Sequence, residues 1–148
     1  MRRYAAAAAA AYLRSDLGGS VARLYTVGFC FGGRLSYLQA ASDIGAAGVI
    51  GFYGWPIGSN RAGLPAPVDE APRFTCPVLA IWGGADQGIG PDAVRAFDTA
   101  LDAAGKVHRT VVYPGAPHSF FDRSAAEHAS ASEGAWREML EFMGVPTA

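Results

Sequence analysis

The sequence predicts an α/β fold of about four parallel strands with flanking helices, in a single domain over its 148 residues. Two observations carry that expectation. Four short runs are continuously apolar, which suits strands buried on both faces rather than the half-wet strands of an antiparallel sheet. Helix-type segments separate them, and strands alternating with helices imply right-handed crossovers between parallel neighbours.

The chain opens with Met1-Arg2-Arg3-Tyr4 and alanines from Ala5 to Ala11. A basic head before an apolar stretch is a feature of secretory leaders, but alanine is weakly apolar, and Arg14 and Asp16 restore charge before any convincing cleavage site. Alanine is the strongest helix former, so a helix ending near Gly18-Gly19 is expected. The strands expected next are 24–29, 47–53, 78–82 and 110–113, each short, apolar and rich in β-branched or aromatic residues. Helices are expected over 32–41, over 92–104 with Gly105 as C-terminal cap, and over about 125–142. The stretch 54–77 is rich in Pro and Gly and longer than most connections, which is a mark of loops that cap a site.

Composition excludes several function classes. Lys and Arg total 12 against 13 Asp and Glu, with no basic stripe, so nucleic acid is not an expected partner. No run of about 20 apolar residues is present, so no membrane span is expected. Cys30 and Cys76 form no CxxC pair and no metal-type spacing with His108, His118 or His128. A reduced, cytosolic protein without metal or organic cofactor is the expectation.

The most informative segment is Gly28-Phe29-Cys30-Phe31-Gly32-Gly33, between the first strand and the next helix. This is G-x-C-x-G, the thiol form of the nucleophile elbow. Such a turn forces Cys30 into a strained conformation, and Gly28 and Gly32 are expected because strand and helix backbones approach too closely for side chains. The Phe31 N–H and the positive end of the helix then face the reacting group, favouring a thiolate and a developing oxyanion. Alone, the motif fits packing glycines around a buried cysteine equally well. Two further groups shift the balance. Trp82-Gly83-Gly84-Ala85-Asp86 places a carboxylate just beyond the third strand, where catalytic groups of open α/β sheets gather, making Asp86 the candidate orienting acid. Asp92, just inside the next helix, is read as a helix-start charge. The fourth strand runs into Pro114-Gly115-Ala116-Pro117-His118, and His118 is the candidate base. A lone loop histidine is usually only solvated, but His118 completes the chain order nucleophile, acid, histidine. His108 and His128 have no such setting.

The elbow, the Gly83-Gly84-Ala85-Asp86 turn and Gly115-Ala116-Pro117-His118-Ser119-Phe120 together resemble the dienelactone hydrolases, or carboxymethylenebutenolidases, over nearly the whole chain. The resemblance implies a partial α/β-hydrolase fold whose early strands and first helix have no counterpart here. It implies a cysteine that attacks enol lactones and related esters through a thioester, with Asp86 and His118 completing the triad and Phe31 in the oxyanion hole. Phe52-Tyr53-Gly54 looks like the aromatic strand end flanking the family's pocket, although Tyr53 suits a core position equally. With the early elements go a second oxyanion donor, a glutamate that helps generate the thiolate, and a carboxylate-binding arginine. A further carboxylate-binding arginine stands in the family four residues after the histidine, where this chain has Asp122. The adjacent Arg123 is the candidate substitute.

A small ester or lactone is thus the expected partner. The alternative, from another class, is a truncated, catalytically weak module acting in binding or assembly. A thiol redox protein is least favoured, because Cys30 has no resolving cysteine nearby. The strand 24–29 carries no proline, lysine or charge, so an open outer edge there is expected to pair with another chain, and lysine at Thr26 to block that pairing.

Overall fold

In the computed structural model, which describes residues 2–59 and 62–146, four strands lie side by side in chain order: β1 (Tyr25–Phe29), β2 (Gly48–Phe52), β3 (Val78–Gly83) and β4 (His108–Tyr113). All three pairings are parallel. Met1, at the head of the expected first helix, and Asn60 and Arg61, within the expected capping loop, lie outside the described residues. β2 and β3 are central and buried along their whole length, whereas the edge strands β1 and β4 are only partly covered. β4 begins two residues before its apolar run because His108 pairs in register with Val78.

Helices α2 (Phe31–Gln39), α3 (Pro67–Glu70), α4 (Pro91–Ala103) and α5 (Ala129–Phe142) flank the sheet. A Cβ on Gly51 would meet the Tyr37 ring of α2, and one on Gly48 would meet the Phe142 ring of α5. Positions three apart on a strand point to opposite faces, so α2 and α5 cover different sides of the sheet. On the α2 side, Tyr37 packs against Phe97 of α4 with ring centroids 4.8 Å apart, and its hydroxyl donates to the Gly51 carbonyl. Buried side chains such as Phe97 and Leu101 each contribute roughly 1.5–3 kcal/mol of transfer free energy.

The alanine-rich segment forms α1 (Arg2–Arg14), followed by a 3-10 turn, Asp16–Gly18. Arg14 fastens its end by donating to the carbonyls of Ile44 and Gly45, both at 2.7 Å. The last helix starts at Ala129 rather than near 125. Ser119 takes a left-handed φ of 62°, and its carbonyl accepts from both Arg123 and Ser124, so the chain makes an isolated turn before a helix can propagate. Among the described residues no helix is long and apolar enough to cross a membrane.

Candidate active site

Each strand delivers one side chain to the same end of the sheet. Cys30 follows β1, Tyr53 follows β2, Asp86 follows β3 and His118 follows β4. Cys30 sits at φ 53°, ψ −120°, a strained conformation for a residue with a side chain. The close approach of strand to helix is real but asymmetric. A Cβ on Gly28 would lie 2.0 Å from the Gly32 carbonyl oxygen and one on Gly33 2.6 Å from that of Phe52, whereas one on Gly32 meets open space. The steric requirement expected at Gly32 therefore belongs to Gly33.

Asp86 is held by its own turn. Its Oδ1 accepts the N–H groups of Gly88 (2.8 Å) and Ile89 (3.0 Å), which leaves Oδ2 for Nδ1 of His118 at 2.6 Å. His118 starts from the far edge strand and must cross the ends of β3 and β2 to reach β1. The loop after β4 does this by folding back onto β3: Gly84 donates to the Tyr113 carbonyl and Ala85 to that of Ala116. Gly83 permits it, since a Cβ there would lie 2.4 Å from the Ala116 oxygen. The imidazole then lies 4.9 Å from the Tyr53 ring and brings Nε2 to 3.1 Å from Cys30 Sγ. A carboxylate can only accept, so Nδ1 carries a proton and Nε2 faces the sulfur, able to receive its proton.

These groups open into a cavity of about 560 Å³, lined also by Phe31, Trp55, Ile89 and Arg34. Tyr53 is fully buried at φ 39°, and its hydroxyl donates to Asp122 Oδ1 at 2.7 Å. Burial, reinforced by Asp122, pushes its phenol far above the usual range, so it remains a protonated donor. Arg34 is 1% exposed and donates to the carbonyls of Trp55, Ile57, Gly58, Leu64 and Pro65, thereby fixing the loop that walls the cavity. Burial lowers the pKa of its guanidinium, opposed by the nearby charge of Asp69. The sequence reading missed Arg34, although its spacing of four from Cys30 puts it on the same helical face one turn on. Arg123 is exposed and is not among the cavity-lining residues; Asp122 is the residue that reaches Tyr53.

Other titratable groups are structural in their contacts. Asp92 pairs with Arg95 at the start of α4. His108 joins β4 to α4 through Asp98 at 3.0 Å, and the ligand atoms of Asp98, Asp102 and His108 lie within 4.8 Å of one another, the one described grouping a divalent ion could bridge. His128 stands at the N-cap of α5. Burial pushes the Cys76 thiol up from its ordinary value.

The sequence and the fold have relatives among known proteins. Residues 2–145 match the model of the Dienelactone hydrolase family. The chain belongs to the dienelactone hydrolase family. Among curated members, a protein of Escherichia coli O157:H7 provisionally named carboxymethylenebutenolidase is 38% identical over 127 residues, covering 84% of this chain and 47% of the relative. One of Methylorubrum extorquens with the same provisional name is 36% identical over 137 residues, 91% of this chain and 47% of that protein. This dienelactone hydrolase family chain thus spans about half the length of the curated relatives it matches. A Klebsiella pneumoniae crystal structure, provisionally described as a dienelactone hydrolase, superposes with a TM-score of 0.82 at 33% identity, covering 91% of this chain and 57% of that one. A dienelactone hydrolase-like promiscuous phosphotriesterase from metagenomic libraries, at 22% identity and TM-score 0.75 over 97% of this chain and 61% of its own, shares the fold.

Proposed function

We propose that this chain hydrolyses small esters or enol lactones by covalent catalysis at Cys30. The observation that supports the reading is the unbroken line of hydrogen bonds from Asp86 through His118 to Cys30, ending at the cavity. His118 Nε2 takes the thiol proton, and the Cys30 thiolate attacks the acyl carbonyl. The oxyanion that develops is stabilised by the Phe31 N–H at the start of α2. The tetrahedral species collapses by breaking the bond to the leaving oxygen, which receives the proton from Nε2, and a Cys30 thioester remains. Water then gives a proton to Nε2 and attacks the thioester, and the departing sulfur releases the carboxylic acid. Asp86 orients the imidazole throughout and stabilises its charged form. Tyr53 forms one wall for the acyl group. Arg123, outside the lining, would meet only a substrate tail that extends past the mouth. Both cysteines are free, which supports a reducing, cytosolic setting.

Rapid quench of the protein with an aryl ester, followed by peptide mapping, tests the chemistry. The expected result is an acyl adduct on the Cys30 peptide that forms and decays with turnover. Turnover that persists in Cys30→Ala would overturn the assignment.

A further inference from the structure

We propose that Ser119 is a second hydrogen-bond donor to the reacting sulfur, and that its backbone is held in a left-handed conformation to aim the hydroxyl there. The proposal rests on Cys30 being the nucleophile and adds a group that the triad does not include.

Ser119 combines three properties. It is 7% exposed, among the few buried polar residues. Its φ of 62° lies in the left-handed region, which a serine adopts only at a cost in backbone energy. Its Oγ lies 3.5 Å from Cys30 Sγ, within hydrogen-bond reach for sulfur. Strain of this kind persists where surrounding structure imposes it, often at functional sites. Here the imposed conformation presents Ser119 Oγ and His118 Nε2 to one sulfur from two consecutive residues.

The direction of the hydrogen bond follows from proton count. Asp86 Oδ1 accepts two backbone N–H groups and Oδ2 accepts from His118 Nδ1. With Nδ1 protonated, the sulfur either gives its single proton to Nε2 or, as thiolate, receives one from it. In neither state does the sulfur have a proton left for Ser119, so the hydroxyl must donate. A donor to a charged acceptor is worth more than one to a neutral acceptor, so the contact favours the thiolate over the thiol. It also strengthens when the sulfur leaves the thioester, since negative charge returns to it at that moment.

The test reads the thiol directly and needs no substrate. The rate of Cys30 alkylation by iodoacetamide is measured against pH in the wild-type chain and in Ser119→Gly, with Cys76 in the same molecules as internal reference. Glycine accepts the left-handed φ without strain while removing the hydroxymethyl group, and Ser119→Ala, which removes only the hydroxyl, controls for the lost carbon. The Cys30 profile is expected to move upward by about one pH unit, with alkylation near neutrality falling about tenfold, and the Cys76 profile to stay in place. Ser119→Ala should show the same shift with lower thermal stability, because it keeps the strain. A Cys30 profile unchanged in Ser119→Gly would overturn the proposal. A wild-type chain whose Cys30 responds to Ser119 but which turns over no ester would instead defeat the functional reading and leave this hydrogen bond standing.

Discussion

The Tyr53 hydroxyl donates a 2.7 Å hydrogen bond to Oδ1 of Asp122, joining the end of β2 to the turn beyond His118. Tyr53 packs on the imidazole and lines the cavity, so this bond fixes one wall and places a carboxylate charge behind it. Asp122→Asn keeps an acceptor and the volume but removes the charge. KM for an aryl ester with an anionic acyl chain is expected to fall severalfold relative to a neutral aryl acetate at low salt, and the difference to shrink as salt is added. Equal KM changes for both esters would show that the charge does not reach the cavity.

Loss of members of one catalytic unit is not additive. Cys30→Ala and His118→Ala should each abolish turnover of an aryl acetate, and the double variant should lose little more. Asp86→Asn should be milder yet still severe. Its oxygen is needed by the Gly88 and Ile89 N–H groups, so its NH₂ would face Nδ1–H of His118 and drive the ring to the tautomer that cannot accept the thiol proton. A loss of about 10³- to 10⁴-fold in kcat is expected. Asp92→Asn, exposed at the start of α4 where it pairs with Arg95 outside the cavity lining, should be neutral in the same assay.

The two thiols should separate in labelling. Burial holds Cys76 protonated to higher pH than an ordinary thiol, so its iodoacetamide rate at neutral pH should lie well below that of Cys30 and rise only in more alkaline buffer. In urea the Cys76 profile should return to the ordinary thiol range. Mass mapping of both peptides reads this, and equal labelling of the folded chain would remove the case for an activated Cys30.

Arg34 supplies donors to five carbonyls of the cavity wall. Arg34→Met leaves those acceptors without the guanidinium and should cost on the order of 3 kcal/mol in urea unfolding. Arg34→Lys, with a single ammonium and no planar fork, should recover only part of that. Ester turnover should fall chiefly through KM, because Trp55 on that loop lines the cavity.

Among the described residues β1 pairs with β2 alone, and Val27 and Phe29 are exposed beside that edge. Self-association through it is expected as species larger than a monomer in light scattering. The structure changes the choice of probe. Thr26 faces α2, its hydroxyl 2.7 Å from that of Ser36, so lysine there would disrupt packing instead of blocking the edge. Val27→Lys is the informative variant, and association unaffected by it would place the contact elsewhere.

The strands were legible because continuous apolar runs such as Val78–Trp82 can be satisfied only by burial on both faces. That Cys30, Asp86 and His118 come together was legible because Cys30 directly follows one such run and the other two stand in the short loops that follow two more. What escaped depends on distance in sequence. Nothing around Arg34 reveals that its partners lie at 55–65, and nothing around Asp122 points to Tyr53. Ser119 escaped for a different reason: its left-handed φ comes from the surrounding fold, and serine carries no signature of it. The start of α5 was placed too early because the residues from Ala125 onward suit a helix, while the turn at Ser119 that delays it is a tertiary effect.

Strand order equal to chain order has a kinetic consequence. Each βα unit can dock on the one already formed without threading past a later strand, so the sheet can grow from β1 towards β4 as the chain is made. Cys30 can then be folded into its elbow before its hydrogen-bond partner exists, since His118 arrives only with the loop after the last strand. The thiol has the start of α2 beside it from the outset and gains its hydrogen-bonded partner His118 only at the final docking step. A chain interrupted before β4 would hold Cys30 and Asp86 without the histidine that links them.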